Sequence, residues 1–198
     1  ARIMPIEELI LNAIQGNIVY LLLAVLFVVL VLKAVPIVSQ SEQHVIERFG
    51  RLHSVLGPGI NSIIPFLDRV AHKISILEHQ LPTASQDAIT RDNVLVQIDT
   101  SIFHRITEPE KTVYRIRDVD SAISTTVVGI VRAEIGKMDL AEVPANRTAL
   151  ITTVKKLVEG AVDEWGIEVT RVEILDVNLD TATRAAMMQQ LNAHVVHK

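Results

Sequence analysis

The chain has 198 residues, 49% hydrophobic, 21% charged and 4% aromatic, with a formal net charge of −4 and no cysteine. The missing cysteine excludes disulfides, thiolate metal sites and a cysteine nucleophile. The acidic balance and scarce aromatics provide neither a basic face for phosphates nor platforms for stacked bases, so nucleic acid is not an expected partner.

Residues 18–32 are apolar without interruption. As a helix this run covers about 22 Å, against a hydrocarbon core about 30 Å thick. Lys33 can snorkel, and Ala34 and Val35 extend the run until Pro36 stops it. We read a transmembrane anchor over residues 18–35, marked by Ile18, Leu22, Leu26, Leu30 and Lys33. Residues 1–17 form an N-terminal interfacial segment. There, Leu9, Ile10, Leu11, Ala13 and Ile14 are interrupted by Asn12, Gln15, Gly16 and Asn17. They allow one helix over about 8–35, or a separate interfacial helix over 5–15 with a kink at Gly16-Asn17. A buried core helix fits less well, because no polar stripe breaks the run. A signal peptide fits less well still, because no basic n-region or small-x-small cleavage site accompanies it. Arg2 alone precedes the span, whereas Lys33, Arg48 and Arg51 follow it, so the positive-inside rule puts the following domain in the cytoplasm.

After the span, residues 44–50 read as a strand ending at Gly50, and 51–56 as its return, closing at Gly57-Pro58-Gly59. Ile60, Ile63, Ile64, Phe66 and Leu67 make a second apolar patch, too short to span. It is a core edge, a plain loop, or a surface resting on the bilayer. Residues 70–81 read as one strand, 85–93 as a polar turn, and 94–103 as a further strand. Pro109 opens a short helix over Pro109–Arg115. The spacing of Ala122, Ile123, Thr126, Val127, Ile130 and Val131 predicts a helix over Val119–Ile135, stopped by Gly136. Asp139 and Glu142 have capping-box spacing. A long helix is expected over 146–165, a strand over 167–177 and a closing helix over about 181–195. Strand-rich and helical stretches follow one another without a βαβ rhythm, which is α+β.

No G-x-S-x-G, H-E-x-x-H, P-loop or dinucleotide motif occurs. His194 and His197 are the one local histidine pair, with no carboxylate to complete a metal set; the other five histidines are scattered. Asp87, Asp92, Asp99, Glu134, Asp139 and Glu142 become a carboxylate pair only if the fold gathers two of them. Arg132 and Glu134 read as an ion pair or a helix surface, and Trp165 as core packing. We expect no catalytic residues, no metal and no cofactor.

Several segments together resemble the SPFH family (stomatin, prohibitin, flotillin, HflK/HflC), in its stomatin/paraslipin branch. They are Pro36-Ile37-Val38, Glu47-Arg48-Phe49-Gly50-Arg51, Gly57-Pro58-Gly59-Ile60 and Ile64-Pro65-Phe66-Leu67-Asp68-Arg69-Val70. Thr90-Arg91-Asp92-Asn93-Val94, Arg132-Ala133-Glu134-Ile135-Gly136 and Trp165-Gly166-Ile167-Glu168-Val169 follow in order. The resemblance implies an anchor followed by an SPFH (band 7) domain. Its strand-rich membrane-proximal part would cover 36–105, its α/β second part 106–180, and a closing helix would begin over 181–198. It implies a non-enzymatic scaffold that forms a homo-oligomeric ring or cage on an inner cell membrane. Such a scaffold organises lipid microdomains and regulates a membrane AAA protease or works with an NfeD-like protein. It also implies that residues 60–67 touch the bilayer. Relatives continue into a long Ala/Glu/Lys-rich coiled coil, whereas this sequence stops at Lys198: either it is a fragment of a longer chain, or the element is lacking and side-to-side contacts of the α+β domains drive assembly. An accessory low-copy subunit of another membrane complex is the alternative; an anchored hydrolase would need a nucleophile–base pair that the sequence does not advertise.

Overall fold

The computed structural model describes residues 5–82, 85–179 and 181–196. The chain divides into two compact units, Ala1–Lys73 and Ile74–Lys198.

The first unit begins with α1 (Ile6–Ala34), one unbroken helix of 29 residues, about 43 Å long. It passes through Gly16-Asn17 without a break. Of the two arrangements that the sequence allows, the continuous helix is the one formed. A break inside an apolar stretch would strand backbone N–H and C=O groups without partners. Glu7 and Glu8 lie in the first turn and Lys33 in the last, each on the favourable end of the helix dipole. No residue of α1 is buried.

Beyond the helix, β1 (Ile37–Val38), β2 (Glu42–Arg48), β3 (Arg51–Leu56), β4 (Gly59–Ile60) and β5 (Asp68–Ser75) follow. β1 pairs antiparallel with β4, and β2 lies between β3 and β5. β2 and β3 are antiparallel, joined through the pair Arg48–Arg51 by the two-residue turn Phe49-Gly50. Val38, Val45 and Ile46 are buried beneath these strands.

The second unit is built around β8 (Leu95–Ile106). On one side it pairs with β6 (His79–Pro82) and β7 (Gln86–Ile89), on the other with β9 (Ile167–Leu179), antiparallel throughout. Helices α2 (Pro109–Arg115), α3 (Val119–Ile135), α4 (Glu142–Ala145) and α5 (Arg147–Val162) separate β8 from β9, and α6 (Thr181–Val196) follows. The Asp118 side chain caps α3 by accepting the Ser121 N–H, as expected of an N-cap aspartate. Ile123, Val127, Val131 and Ile135 recur on one face of α3; Leu150, Val154, Val158 and Val162 do so on α5. These stripes close on Val96, Ile98, Ile102, Val172 and Ile174 of the sheet in one core. Each such side chain contributes about 1.5–3 kcal/mol through burial.

Five local expectations change. The single strand over 70–81 is two, β5 and β6, parted at residues 76–78. The polar stretch 85–93 contains β7, because the side chain turned inward beside Ala88 is Gln86, which supplies no apolar beat. The helix expected over 146–165 ends at Val162 and tightens into a 3-10 turn over Asp163–Trp165, stopped by Gly166 at φ +70°. β9 runs on to Leu179. β8, which the sequence groups with the membrane-proximal strands, belongs to the second unit.

Candidate membrane-contact site

α1 offers its whole circumference outward. Ile18, Leu22, Leu26 and Lys33 are exposed and Leu30 is half-buried. A core helix of a water-soluble protein would bury one face. A bare apolar cylinder of this length matches the hydrocarbon thickness with margin.

The end of this helix is tied directly to the second apolar patch. The Ile63 N–H donates to the Ala34 carbonyl at 2.7 Å, and the Asn61 N–H to the Pro36 carbonyl at 3.2 Å. Ala34 belongs to the last helical turn, whose carbonyls lack intrahelical partners, so the patch supplies a cap. The cross-strand pair Ile37–Ile60 adds a second tie. Ile60 is 80% exposed and Phe66 83%; Ile64 and Leu67 are also exposed, whereas Ile63 is half-buried. Ile37, on β1, is 76% exposed. Four of the five patch residues that the sequence singles out therefore face outward beside the foot of the helix. Ile37 and the exposed Phe49 escape a search for apolar runs; Ile37 is detectable only through its pairing with Ile60.

The loop carrying Phe66 is held by charge. The Asp68 N–H donates to the Ile64 carbonyl at 2.9 Å, and the Ile64 N–H returns to Asp68 Oδ2 at 2.9 Å. Arg48 meets the same carboxylate with Nε at 2.6 Å and Nη2 at 3.0 Å. The Arg48 hydrogen bond, then the Ile64 N–H, lower the Asp68 pKa from 3.8 to about 2. Arg69 on β5 donates to Glu47 on β2 at 2.7 Å.

The remaining polar candidates have structural roles. Asp139 and Glu142 do come together, but around Arg91: the guanidinium takes Asp139 in two bonds, at 3.0 and 2.8 Å, and reaches Glu142 at 3.4 Å. Glu142 also returns to the Asp139 N–H at 3.2 Å, which is half of the expected capping box. Asp92 accepts the Leu140 N–H, and Ser85 donates to Asp99. Arg132 and Glu134 do not pair: Arg132 Nε donates to the Asp87 carbonyl, and Glu134 binds Lys137. Trp165 packs against the core. His104 is buried 6.1 Å, ring to ring, from His79, and burial lowers its pKa. Among the described residues no three His, Asp or Glu side chains gather in a way that could hold a metal ion. The pair His194 and His197 lies outside the described side chains.

Comparison with known proteins agrees with this architecture. The model of the SPFH domain / Band 7 family matches residues 36–197. Human stomatin-like protein 2, mitochondrial, is 36% identical over 156 residues, covering 79% of this chain and 44% of that protein. An uncharacterized protein of Methanocaldococcus jannaschii is 33% identical over 174 residues, covering 88% of this chain and 87% of its own length. An uncharacterized protein of Archaeoglobus fulgidus is 34% identical over 172 residues, covering 86% of this chain and 68% of its own. The chain thus spans less than half the length of the mitochondrial relatives it matches. With a long apolar helix leading into a matched domain, it belongs to the SPFH domain / Band 7 family, in its stomatin-like branch.

Proposed function

We propose that this chain is a membrane-anchored scaffold. α1 spans the bilayer, the surface formed by Ile37, Ile60, Ile64, Phe66 and Leu67 rests on the lipid at its foot, and neighbouring copies meet through their α+β domains to form a homo-oligomeric ring or cage. The tie from Ile63 to Ala34 is the observation that carries this reading, because it leaves the patch no freedom to sit far from the end of the span. Anchoring every copy in one plane raises the effective concentration for lateral contacts. Such an assembly organises lipid microdomains and regulates membrane complexes; a membrane AAA protease and an NfeD-like protein are the partner classes it suits. The expected setting is an inner cell membrane with the α+β domain in the cytoplasm, supported by Lys33, Arg48 and Arg51 on that side of the span.

Counting photobleaching steps of the fluorescently tagged chain in native membranes tests the assembly. Many steps per spot are expected. One or two steps, in fixed ratio to another complex, would replace the scaffold with the accessory-subunit reading. Digestion of the α+β domain in inverted vesicles is expected from the orientation, and its protection there contradicts it.

A further inference from the structure

We propose that the Phe49-Gly50 turn is a second lipid-inserting wedge, acting on the same bilayer surface as residues 60–67; the inference rests on the membrane reading of that patch. The turn is a two-residue hairpin loop with φ +52° at Phe49 and +74° at Gly50. Two positive φ values in a two-residue loop call for Asn, Asp or Gly at the first position. A bulky residue there is a genuine outlier, and such outliers concentrate where function requires them. Packing within the protein does not account for the choice, because Phe49 is 80% exposed.

The same combination recurs inside the patch. Phe66 has φ +69° and is 83% exposed. Among the described residues only one other non-glycine has positive φ, Asn93, a residue type at home there. The two phenylalanines are thus the exceptions, and the same ion pair braces both loops. Arg48, the residue before Phe49, grips Asp68, whose backbone and carboxylate close the 64–68 turn. A chain of hydrogen bonds and covalent neighbours therefore runs from the Phe49 turn through Arg48, Asp68, Ile64 and Ile63 to Ala34 at the end of the span.

Lipid is the occupant that fits. Arg48 beside the turn grips the Asp68 loop, which is itself tied to the end of α1 through Ile63 and Ala34, and Arg51, the first residue after the turn, is exposed. A large apolar ring beside a cation suits the interface of an anionic leaflet, with the ring among the acyl chains and the guanidinium at phosphate level.

The full chain, carrying Trp165→Phe, is reconstituted into phosphatidylcholine/phosphatidylglycerol vesicles with and without brominated acyl chains. Phe49→Trp reports on the turn and Phe66→Trp on the patch. Blue-shifted emission from Phe49→Trp, quenched at least twofold by bromolipid, is expected. If Phe66→Trp is quenched and Phe49→Trp is not, the wedge is overturned and the patch stands; if neither is quenched, both fall. Blue-shifted but unquenched emission at position 49 would mean that a protein neighbour covers it, and also overturns the wedge. As a second arm, Phe49→Asn in detergent is expected to keep or raise the Tm, since Asn suits the turn. A lower Tm would assign the ring to fold stability and overturn the proposal.

Discussion

The carboxylate of Asp68 is shared between the guanidinium of Arg48, at 2.6 and 3.0 Å, and the N–H of Ile64, at 2.9 Å. One side chain thereby fastens strand β5 to β2 and shapes the loop that carries Phe66. Its folded pKa of about 2 lies below the ordinary 3.8. A depressed carboxylate contributes stability that is complete above the unfolded value and disappears as pH falls through the folded one. Asp68→Asn is therefore expected to melt below the parent at pH 6. The gap should close between about pH 4 and pH 2, and melting curves across that range read it directly. A gap that persisted unchanged at pH 2 would mean that the ionised carboxylate is not what stabilises the turn.

Gly166 is held where no other residue fits. Its φ is +70°, and a Cβ there would come 2.3 Å from the Glu108 carbonyl oxygen. The N–H groups of Thr107 and Glu108 converge on its carbonyl at 2.8 and 3.1 Å, and Thr112 Oγ1 donates to the neighbouring Trp165 carbonyl at 2.6 Å. Gly166→Ala combines a positive-φ penalty with a backbone clash, so denaturant unfolding of the detergent-solubilised chain should show a loss of at least about 2 kcal/mol.

Burial and surface charge should separate cleanly in the second unit. Ile123 is fully buried between α3, α5 and the sheet, so Ile123→Ala is expected to cost about 2–5 kcal/mol. Arg91 binds Asp139 and Glu142 with more than half of its side chain exposed. Exposed pairs are screened by solvent, so Arg91→Ala should lower the Tm far less than Ile123→Ala. The same melts, run at low and high salt, should shrink the Arg91 effect and leave the Ile123 effect in place.

The anchor predicts its own disruption. Leu26 lies within the uninterrupted apolar run of α1 and is exposed. An arginine near the centre of a span costs about 3 kcal/mol of insertion. Leu22→Arg combined with Leu26→Arg should move a substantial fraction of the chain into the supernatant after alkaline carbonate extraction, while Tyr20→Phe should leave it in the pellet.

Much of this fold is legible in the sequence wherever one strong local signal acts alone. Proline at the first position sets the start of α2, and the i, i+4 stripe with Gly136 behind it sets both ends of α3. Legibility fails where a polar residue takes a core position, as Gln86 does on β7, or where a helix tightens in its last turn, as α5 does before Trp165. The 60–67 patch is legible because it is a run of apolar residues. Its tie to Ala34 is not, since backbone hydrogen bonds between residues 29 apart leave no trace in side-chain type. Phe49 is hidden for a related reason: one apolar residue beside a turn glycine is unremarkable until the register fixes a two-residue loop with positive φ.

Assembly on a membrane is read from the mass of the native particle. Membranes carrying the full chain would be extracted into polymer-bounded nanodiscs and sized by mass photometry, with electron microscopy of the same sample. Closed homo-oligomeric particles many times the 21.9 kDa mass of one chain are expected. Discs that hold single copies, with the protein intact, would contradict assembly.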